Sequence, residues 1–455
     1  MPLKRVLIAN RGEIAVRVIR ACRSLGIETV AVYSVADKDS MAVKMADRAV
    51  CIGPARSADS YLKTGALIAA ALGTKCDAIH PGYGFLSENE AFARACEDHG
   101  ILFVGPTAEN IRQMGNKLVA RAIAQEVGVP LAPGSQRISD FSVAEKIAEE
   151  LGMPVLFKAA AGGGGRGIRI VRQIEDLRHA FDTASAEAFA AFGDNALFLE
   201  RYIGNARHVE IQILADMHGN VLHLGERDCS LQRRYQKMVE EAPASGVAQT
   251  LRDGMRAAAV SLARHIGYRS AGTIEFIVDV DRGEFFFLEM NTRVQVEHPV
   301  SEIITGIDIV AAQLAIASGN LLPFRQEDIT FAGHAIECRI NAEDPARNFA
   351  PSPGRLTAWS PPEGQHIRID SHAAQGYVVP PYYDSLVGKL IVHGQDRAEA
   401  ITRMQAALDH FGVAGIRTTI PFLRQVMANP DFAAGKVNTT WLEGVAKEFM
   451  AGTVV

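Results

Sequence analysis

The chain has 455 residues, of which 48% are hydrophobic, 22% charged and 7% aromatic, and 47 basic against 52 acidic side chains leave a formal charge of −5. That balance suits a globular chain of about three domains and gives no electrostatic case for nucleic acid. The longest apolar stretches, residues 66–72 and 309–317, fall far short of the ~20 needed to cross a membrane, and the N-terminus lacks a signal-peptide core. The six cysteines (Cys22, Cys51, Cys76, Cys96, Cys229 and Cys338) form no CxxC pair. They are expected to be mostly core residues of a cytoplasmic protein, not a zinc site or a disulfide framework.

The first hundred residues alternate short apolar runs with helical periodicity. Residues 6–10 predict a buried strand and 14–22 a helix; strands are expected again at 29–33, 78–79 and 102–104. This βαβ rhythm predicts a parallel sheet with helices on its faces. A dinucleotide site would need GxGxxG at the first strand-to-helix turn, and only Gly12 is there, so NAD is rejected. Residues 39–46 predict a helix carrying Lys44, so this lysine is read as a solvated helix residue, not the hairpin-tip lysine on which biotin is carried. From residue 116 the pattern changes. Helices are predicted at 120–127 and 142–151 and strands at 155–158 and 198–202, so 130–203 reads as a small antiparallel sheet with helices. A strand is predicted at 208–215, helices follow residue 301, and 333–393 is β-rich with loops at its prolines.

Two constellations carry chemistry. In residues 289–297 the polar side chains Glu289, Asn291, Arg293, Gln295 and Glu297 fall at every second position, which on a strand puts them on one face. The preceding hairpin, with a three-residue loop ending at Gly283 and Val280 paired to Glu284, places Glu275 opposite Glu289. Facing carboxylates repel unless a cation lies between them, and with the Asn291 oxygen they form a hard-oxygen set suited to Mg²⁺ carried with phosphates. The second constellation is Lys158 followed by Gly162 to Gly165, Arg166 and Gly167, which reads as a mobile lid offering backbone N–H groups and a cation to phosphate. No GxxxxGK[ST] is present, so this is not a P-loop. Taken alone, Lys117 is a surface helix lysine, His208 a structural histidine, Lys237 part of a basic surface loop and Arg339 the partner of Glu337.

In order, residues 8–15 (IANRGEIA), 80–89 (HPGYGFLSEN), 162–167 (GGGGRG), 207–210 (RHVE), 226–230 (ERDCS), 240–243 (EEAP), 289–298 (EMNTRVQVEH) and 349–354 (FAPSPG) form a set. With this set the chain resembles the biotin carboxylase family of the ATP-grasp superfamily, from about residue 4 to 446. The resemblance implies a mixed α/β and α+β fold: a Rossmann-like N-terminal domain (1–115), an ATP-grasp with a small lid domain (116–203, the lid about 130–203), an ATP-grasp catalytic part (204–330) and a biotin carboxylase C-terminal domain (331–446). It implies MgATP-dependent carboxylation of biotin N1 with bicarbonate through carboxyphosphate.

The roles that follow are those the resemblance implies. Lys117, Lys158, Gly164, Gly165, Glu200, Arg201, Tyr202, Ile203 and His208 hold ATP. Glu275 and Glu289, helped by Asn291, bind Mg²⁺, with Mn²⁺ as a substitute. Lys237, Arg293, Gln295 and the Val296 backbone bind bicarbonate, and Glu297 is the general base. Arg339 holds the biotin ureido oxygen and, with Arg293, stabilises the charge that develops there. The chain departs from the family's usual pattern at Ala160-Ala161 before the glycines and at Tyr235, which takes no role. The expected partners are a separate biotin carboxyl carrier protein and carboxyltransferase subunits, with the chain itself a homodimer. The expected acceptor is acetyl-CoA, hence fatty acid biosynthesis, or another acyl-CoA; pyruvate, another oxoacid or a urea-like compound is the alternative. Another ATP-grasp ligase and a catalytically dead regulator are the competing readings.

Overall fold

The computed structural model describes residues 2–160 and 169–452. The glycine run, with Gly164, Gly165 and Ala161, lies outside the described residues. The N-terminal part is a five-stranded parallel sheet, in the order β3-β2-β1-β4-β5, of Arg5–Ile8 (β1), Glu28–Ser34 (β2), Arg48–Gly53 (β3), Ala78–His80 (β4) and Leu102–Phe103 (β5). Period-two alternation explains its two cores. Val6 and Ile8 pack on one face with Ile14, Val18 and Ile19 of helix Gly12–Ser24 (α1). Leu7, Val30 and Val32 pack on the other with Leu67 of helix Thr64–Thr74 and Phe92 of helix Glu90–Asp98. Lys44 lies on the short helix Met41–Met45, as its pattern predicts.

The loops at the carboxyl ends of β1 and β4 meet, the usual ligand side of an open parallel sheet. The Asn10 amide donates to the carbonyls of Pro81 (2.7 Å) and Tyr83 (2.8 Å). Gly82 is required between them: its φ is +63° and a Cβ there would sit 2.9 Å from the Asn10 amide nitrogen.

Strands Val155–Ala159 (β6), Arg169–Val171 (β7) and Leu197–Arg201 (β8) form the small antiparallel sheet β7-β6-β8 expected of the lid. Phe157 packs edge-on against Phe181 of helix Leu177–Phe192, which supplies much of this unit's core. Helix Lys117–Glu126 precedes it, capped by the Asn116 side chain.

One eight-stranded antiparallel sheet carries the rest. Its strands are Ala206–Ala215 (β9), Val221–Arg233 (β10), Gln236–Ala242 (β11), Ser270–Asp279 (β12), Glu284–Asn291 (β13), His334–Asn341 (β14), Ile367–Ser371 (β15) and Leu386–Gly394 (β16). They run β13-β12-β9-β10-β11-β14-β16-β15, so the sheet is continuous from residues 206–291 into residues 334–394. On β9 and β12, Val209, Ile211, Ile274 and Phe276 face a core with Met255 and Leu262 of helix Gln249–His265. The opposite face presents His208, Glu210 and Glu275, and these too are buried. A buried charged face is the informative signal here, because it must be internally paired.

At the far end, Glu241 of β11 accepts two bonds from Arg397 (2.7 and 3.0 Å) and one from His334 (2.9 Å). Burial alone would raise its pKa, but His334 and Arg397 outweigh burial and hold it at about 2. A carboxyl depressed in the fold stabilises above its unfolded value and loses that contribution as pH falls through its folded one. Glu241→Gln is therefore expected to cost on the order of 3 kcal/mol at pH 7. The gap from wild type in urea unfolding should narrow between about pH 4.5 and 2. A gap independent of pH would show that packing, not charge, is at stake.

Candidate active site

The buried polar face opens into a cleft of about 1280 Å³, roofed by the lid sheet and walled by the β1 and β4 loops. Rows of cross-strand partners build it. Glu289 pairs with Glu275, Glu275 with Glu210, Glu210 with Arg227, Glu240 with Glu337, and Arg339 with Lys389.

Glu275 and Glu289 stand opposite each other as the hairpin reading expects, but by a different route. The loop takes four residues, 280–283, because Asp279, not Val280, pairs with Glu284. A bulge at Leu288 then restores the register, and Val280 instead donates its N–H to the Asn205 carbonyl. The alternation over 289–297 is also not one strand. β13 ends at Asn291, where the Thr292 N–H leaves the ladder for the Glu88 carboxylate (3.0 Å). The alternating residues beyond still reach the cleft, from an extended segment and a turn before helix His298–Thr305.

Lys237 does not lie on a basic surface loop. Arg234 and Tyr235, both at positive φ, make a tight two-residue hairpin that returns the chain as β11 and sends Lys237 inward. Its ammonium donates to Glu210 (2.6 Å), Glu275 (2.8 Å) and Glu297 (2.7 Å), which uses all three protons. Burial would lower its pKa, but the three carboxylates raise it well above the ordinary lysine value. Glu297 takes Lys237 on one oxygen and Arg339 on the other (3.0 Å). Burial would raise its pKa, but Lys237, Arg339 and Arg227 hold it well below the usual carboxylate range. Arg339 also donates to Glu240 (2.6 Å), so its partners are Glu240 and Glu297, not Glu337.

Arg293 donates to Glu88 (2.8 Å) and to the Asn291 amide oxygen (3.0 Å). Asn291 and Gln295 each donate to Glu275, at 2.9 and 3.0 Å. His208 lies third on β9, its Nε2 3.1 Å from Glu275. Burial raises the pKa of Glu289, and Glu275 raises it further. At the lid, Lys158 and Glu200 pair with each other (2.5 Å), and Arg121 shares Glu200 (3.0 Å). Lys117, Arg201, Tyr202, Ile203 and Val296 line the same cleft, and the Arg201 guanidinium is paired to Glu284 (2.6 Å).

The residue assignments passed over Arg227, although its ERDCS motif stands out. It is fully buried and spends all five N–H groups, on Glu210, Gln212, Ser301, Thr273 and Gln295. It holds Gln295 in place and fixes Glu210 as an anchor for Lys237. A fully buried arginine with complete pairing rigidifies what it touches.

A lysine-bearing lid over an antiparallel sheet, with two facing carboxylates and a ring of cations, defines an enzyme of the ATP-grasp class. Family models match three consecutive stretches: biotin carboxylase N-terminal domain over residues 2–111, carbamoyl-phosphate synthase L chain ATP-binding domain over 116–325, and biotin carboxylase C-terminal domain over 337–444. The chain belongs to the biotin carboxylase family. It is 53% identical over 442 residues to biotin carboxylase 1 of Bacillus subtilis, covering 97% of this chain and 98% of that protein. Biotin carboxylase of Campylobacter jejuni, solved as a β,γ-ATP complex, matches with a TM-score of 0.92 at 49% identity, over 97% of this chain and 98% of that one. The biotin carboxylase domain dimer of Hydrogenobacter thermophilus 2-oxoglutarate carboxylase, solved with MgADP, ADP and bicarbonate, matches with a TM-score of 0.91 at 50% identity, over 98% and 99% of the two chains. No single helix among the described residues is long and apolar enough to cross a membrane.

Proposed function

We propose that this chain catalyses the first half-reaction of a biotin-dependent carboxylase: MgATP-dependent transfer of a carboxyl group from bicarbonate to N1 of biotin on a carrier protein. The observation that carries this reading is the Lys237–Glu297–Arg339 chain of contacts, which places a buried carboxylate between two cations at the floor of a nucleotide-sized cleft.

The facing carboxylates Glu275 and Glu289 fit a divalent cation, since two like charges on adjacent strands need one between them. The Asn291 amide completes the set once its oxygen turns from Arg293. A Mg²⁺ there supplies charge neutralisation to the phosphates of ATP. Lys117, Lys158, Glu200, Arg201, Tyr202, Ile203 and His208 hold the nucleotide, with the lid glycines Gly164 and Gly165. Lys237, Arg293, Gln295 and the Val296 N–H receive bicarbonate.

An entering anion draws on Lys237 and Arg293. That weakens the hold of Lys237 on Glu297 and raises its proton affinity as the bicarbonate proton must leave. The resulting nucleophilic oxygen attacks the γ-phosphorus, ADP departs, and carboxyphosphate releases CO₂ beside biotin. The phosphate left behind takes the N1 proton, Arg339 holds the ureido oxygen where negative charge develops as that proton leaves, and N1 then attacks CO₂.

The four-part division at 115, 203 and 330 is kept, with the eight-stranded sheet spanning its last boundary. The proposed partners are a biotin carboxyl carrier protein, carboxyltransferase subunits and a second copy of the chain, in the cytoplasm. We take acetyl-CoA or another acyl-CoA as the final acceptor. Oxoacid carboxylases match at similar identity, and the acceptor is chosen by the transferase, so labelled carboxyl transfer from the loaded carrier to each acceptor decides it.

The reading is tested by ADP release from MgATP with and without bicarbonate and free or carrier-borne biotin. Turnover that requires bicarbonate and rises with biotin is expected; turnover driven by another carboxylate would remove the biotin reading. In the same assay Arg339→Ala should lose biotin-stimulated turnover by ~100-fold, the size of a lost electrostatic stabiliser, and retain most of the slow biotin-independent turnover. Equal loss of both would assign Arg339 to folding or nucleotide binding.

A further inference from the structure

Behind the cleft lies a charged cluster that the proposed reaction does not use. Lys389, in the middle of β16, has no solvent exposure. Its register partners are Arg339 on β14 and Asp370 on β15. A buried ammonium is expensive unless fully partnered. Lys389 finds Glu13 of α1 at 3.1 Å and Asp370 at 3.9 Å, and it donates at 2.7 Å to the carbonyl of Val296. Glu13 in turn accepts from the Tyr83 hydroxyl. Separate parts of the chain thus anchor the one ammonium that holds a backbone carbonyl of the turn ending in Glu297.

The neighbouring carbonyl is held in the same way. His298, the first residue of helix His298–Thr305, is fully buried, and its Nδ1 lies 2.7 Å from the Gln295 carbonyl. Burial, then Lys389, Arg17 and Arg368, keep the ring neutral, so the proton facing the carbonyl sits on Nδ1. In a trans peptide the C=O and N–H point in opposite directions. With the Gln295 carbonyl turned inward to His298, the Val296 N–H of the same peptide is turned outward, to the cleft that Val296 lines. With the Val296 carbonyl turned inward to Lys389, the next peptide is fixed as well, and with it the Cα of Glu297.

We propose that Lys389 and His298 are positioning residues that hold two consecutive peptides from behind, so that the Val296 N–H and the Glu297 carboxylate stand ready for bicarbonate. This rests on the assignment of bicarbonate to that turn. Neither side chain touches substrate. Their work is to pre-orient a donor and a base on a segment that has left the sheet and has no ladder bonds to hold it.

The test uses the full-length chain and the ADP-release assay. Lys389→Met is made together with Glu13→Gln, so that Glu13 is not left as an unpaired carboxylate; His298→Leu is made separately. Each is expected to raise the KM for bicarbonate at least tenfold and lower kcat, while the Kd for ATP stays within twofold. Lys389→Arg, which retains a donor, should recover part of the loss. An unchanged bicarbonate KM in a folded variant, or a parallel loss of ATP affinity, overturns the proposal. Failure of both variants to fold assigns the residues to stability and overturns it too. A wild-type chain whose ATP turnover ignores bicarbonate would instead overturn the functional reading beneath it.

Discussion

Glu297→Gln should lower bicarbonate-dependent ATP turnover by roughly 10²- to 10⁴-fold, the range for loss of a general base, with the Kd for ATP nearly unchanged. The substitution keeps the side chain's shape and one acceptor oxygen but removes the group that takes the proton. Lys237 retains Glu210 and Glu275, and Arg339 retains Glu240, so the cations stay paired. The described ATP residues lie on helix Lys117–Glu126, on β6, on β8 and the two residues after it, and on β9, whereas Glu297 is bound by Lys237 and Arg339. The measurements are equilibrium binding of ATP and ADP release at saturating bicarbonate. Retained turnover would remove Glu297 from the chemistry, and a matching loss of ATP binding would make it a structural residue.

Lys237→Met should have the largest effect on stability. The ammonium is the common partner of three buried carboxylates, Glu210, Glu275 and Glu297. Removing one member of a buried charge cluster costs about 3–5 kcal/mol, because the remaining charges are left without compensation. Arg227 still pairs with Glu210, and His208 lies beside Glu275, which keeps the cost near the lower figure. Turnover is expected to vanish, since the anion pocket loses its central cation. The pH dependence gives the sign. In the wild type, burial opposes ionisation of Glu275 and Glu297, but Lys237 and its neighbours hold both well below the usual value. Their stabilisation is present above the unfolded carboxylate pKa and is lost as pH falls through the folded ones. In the variant both lose their largest attraction, so their pKa values move up. The gap between wild type and variant in urea unfolding should therefore be widest near pH 7 and shrink below about pH 4.5. A gap that stays constant with pH would show that Lys237 contributes packing alone.

The fold was largely legible where its signals are local. The βαβ rhythm of the first hundred residues depends on neighbouring side chains alternating or recurring at helical spacing. The lid sheet and the Glu275–Glu289 pairing came from strand runs and one hairpin. The hairpin's detail did not follow, because a bulge at Leu288 leaves no mark in the residue pattern. The alternation over 289–297 was real but overextended. β13 stops where Glu88, some two hundred residues earlier, captures the Thr292 N–H, and no local pattern can announce that. Lys237 and Arg339 were placed in the site by family resemblance, whereas their residue context alone suggested a surface loop and a pair with Glu337. Their actual partners lie on other strands and at the turn that ends in Glu297. The Arg227 hub and the Lys389–Val296 bond escaped for the same reason: each joins a strand residue to partners distant in sequence, so that even the conspicuous ERDCS motif does not show what Arg227 binds. A strand buried on both faces, with polar residues on one of them, as on β9, becomes visible only when the sheet is assembled.

The central claim is that bicarbonate itself attacks the γ-phosphate of ATP. It is tested most directly with bicarbonate labelled with ¹⁸O in ordinary water, following the label into inorganic phosphate during biotin-dependent turnover. If carboxyphosphate forms, the bridging oxygen comes from bicarbonate and stays with phosphorus when CO₂ leaves, so each phosphate produced should carry one oxygen derived from bicarbonate. Phosphate whose new oxygen comes from water would mean that ATP is hydrolysed directly, and would contradict the assignment of Lys237, Arg293 and Glu297 to bicarbonate activation.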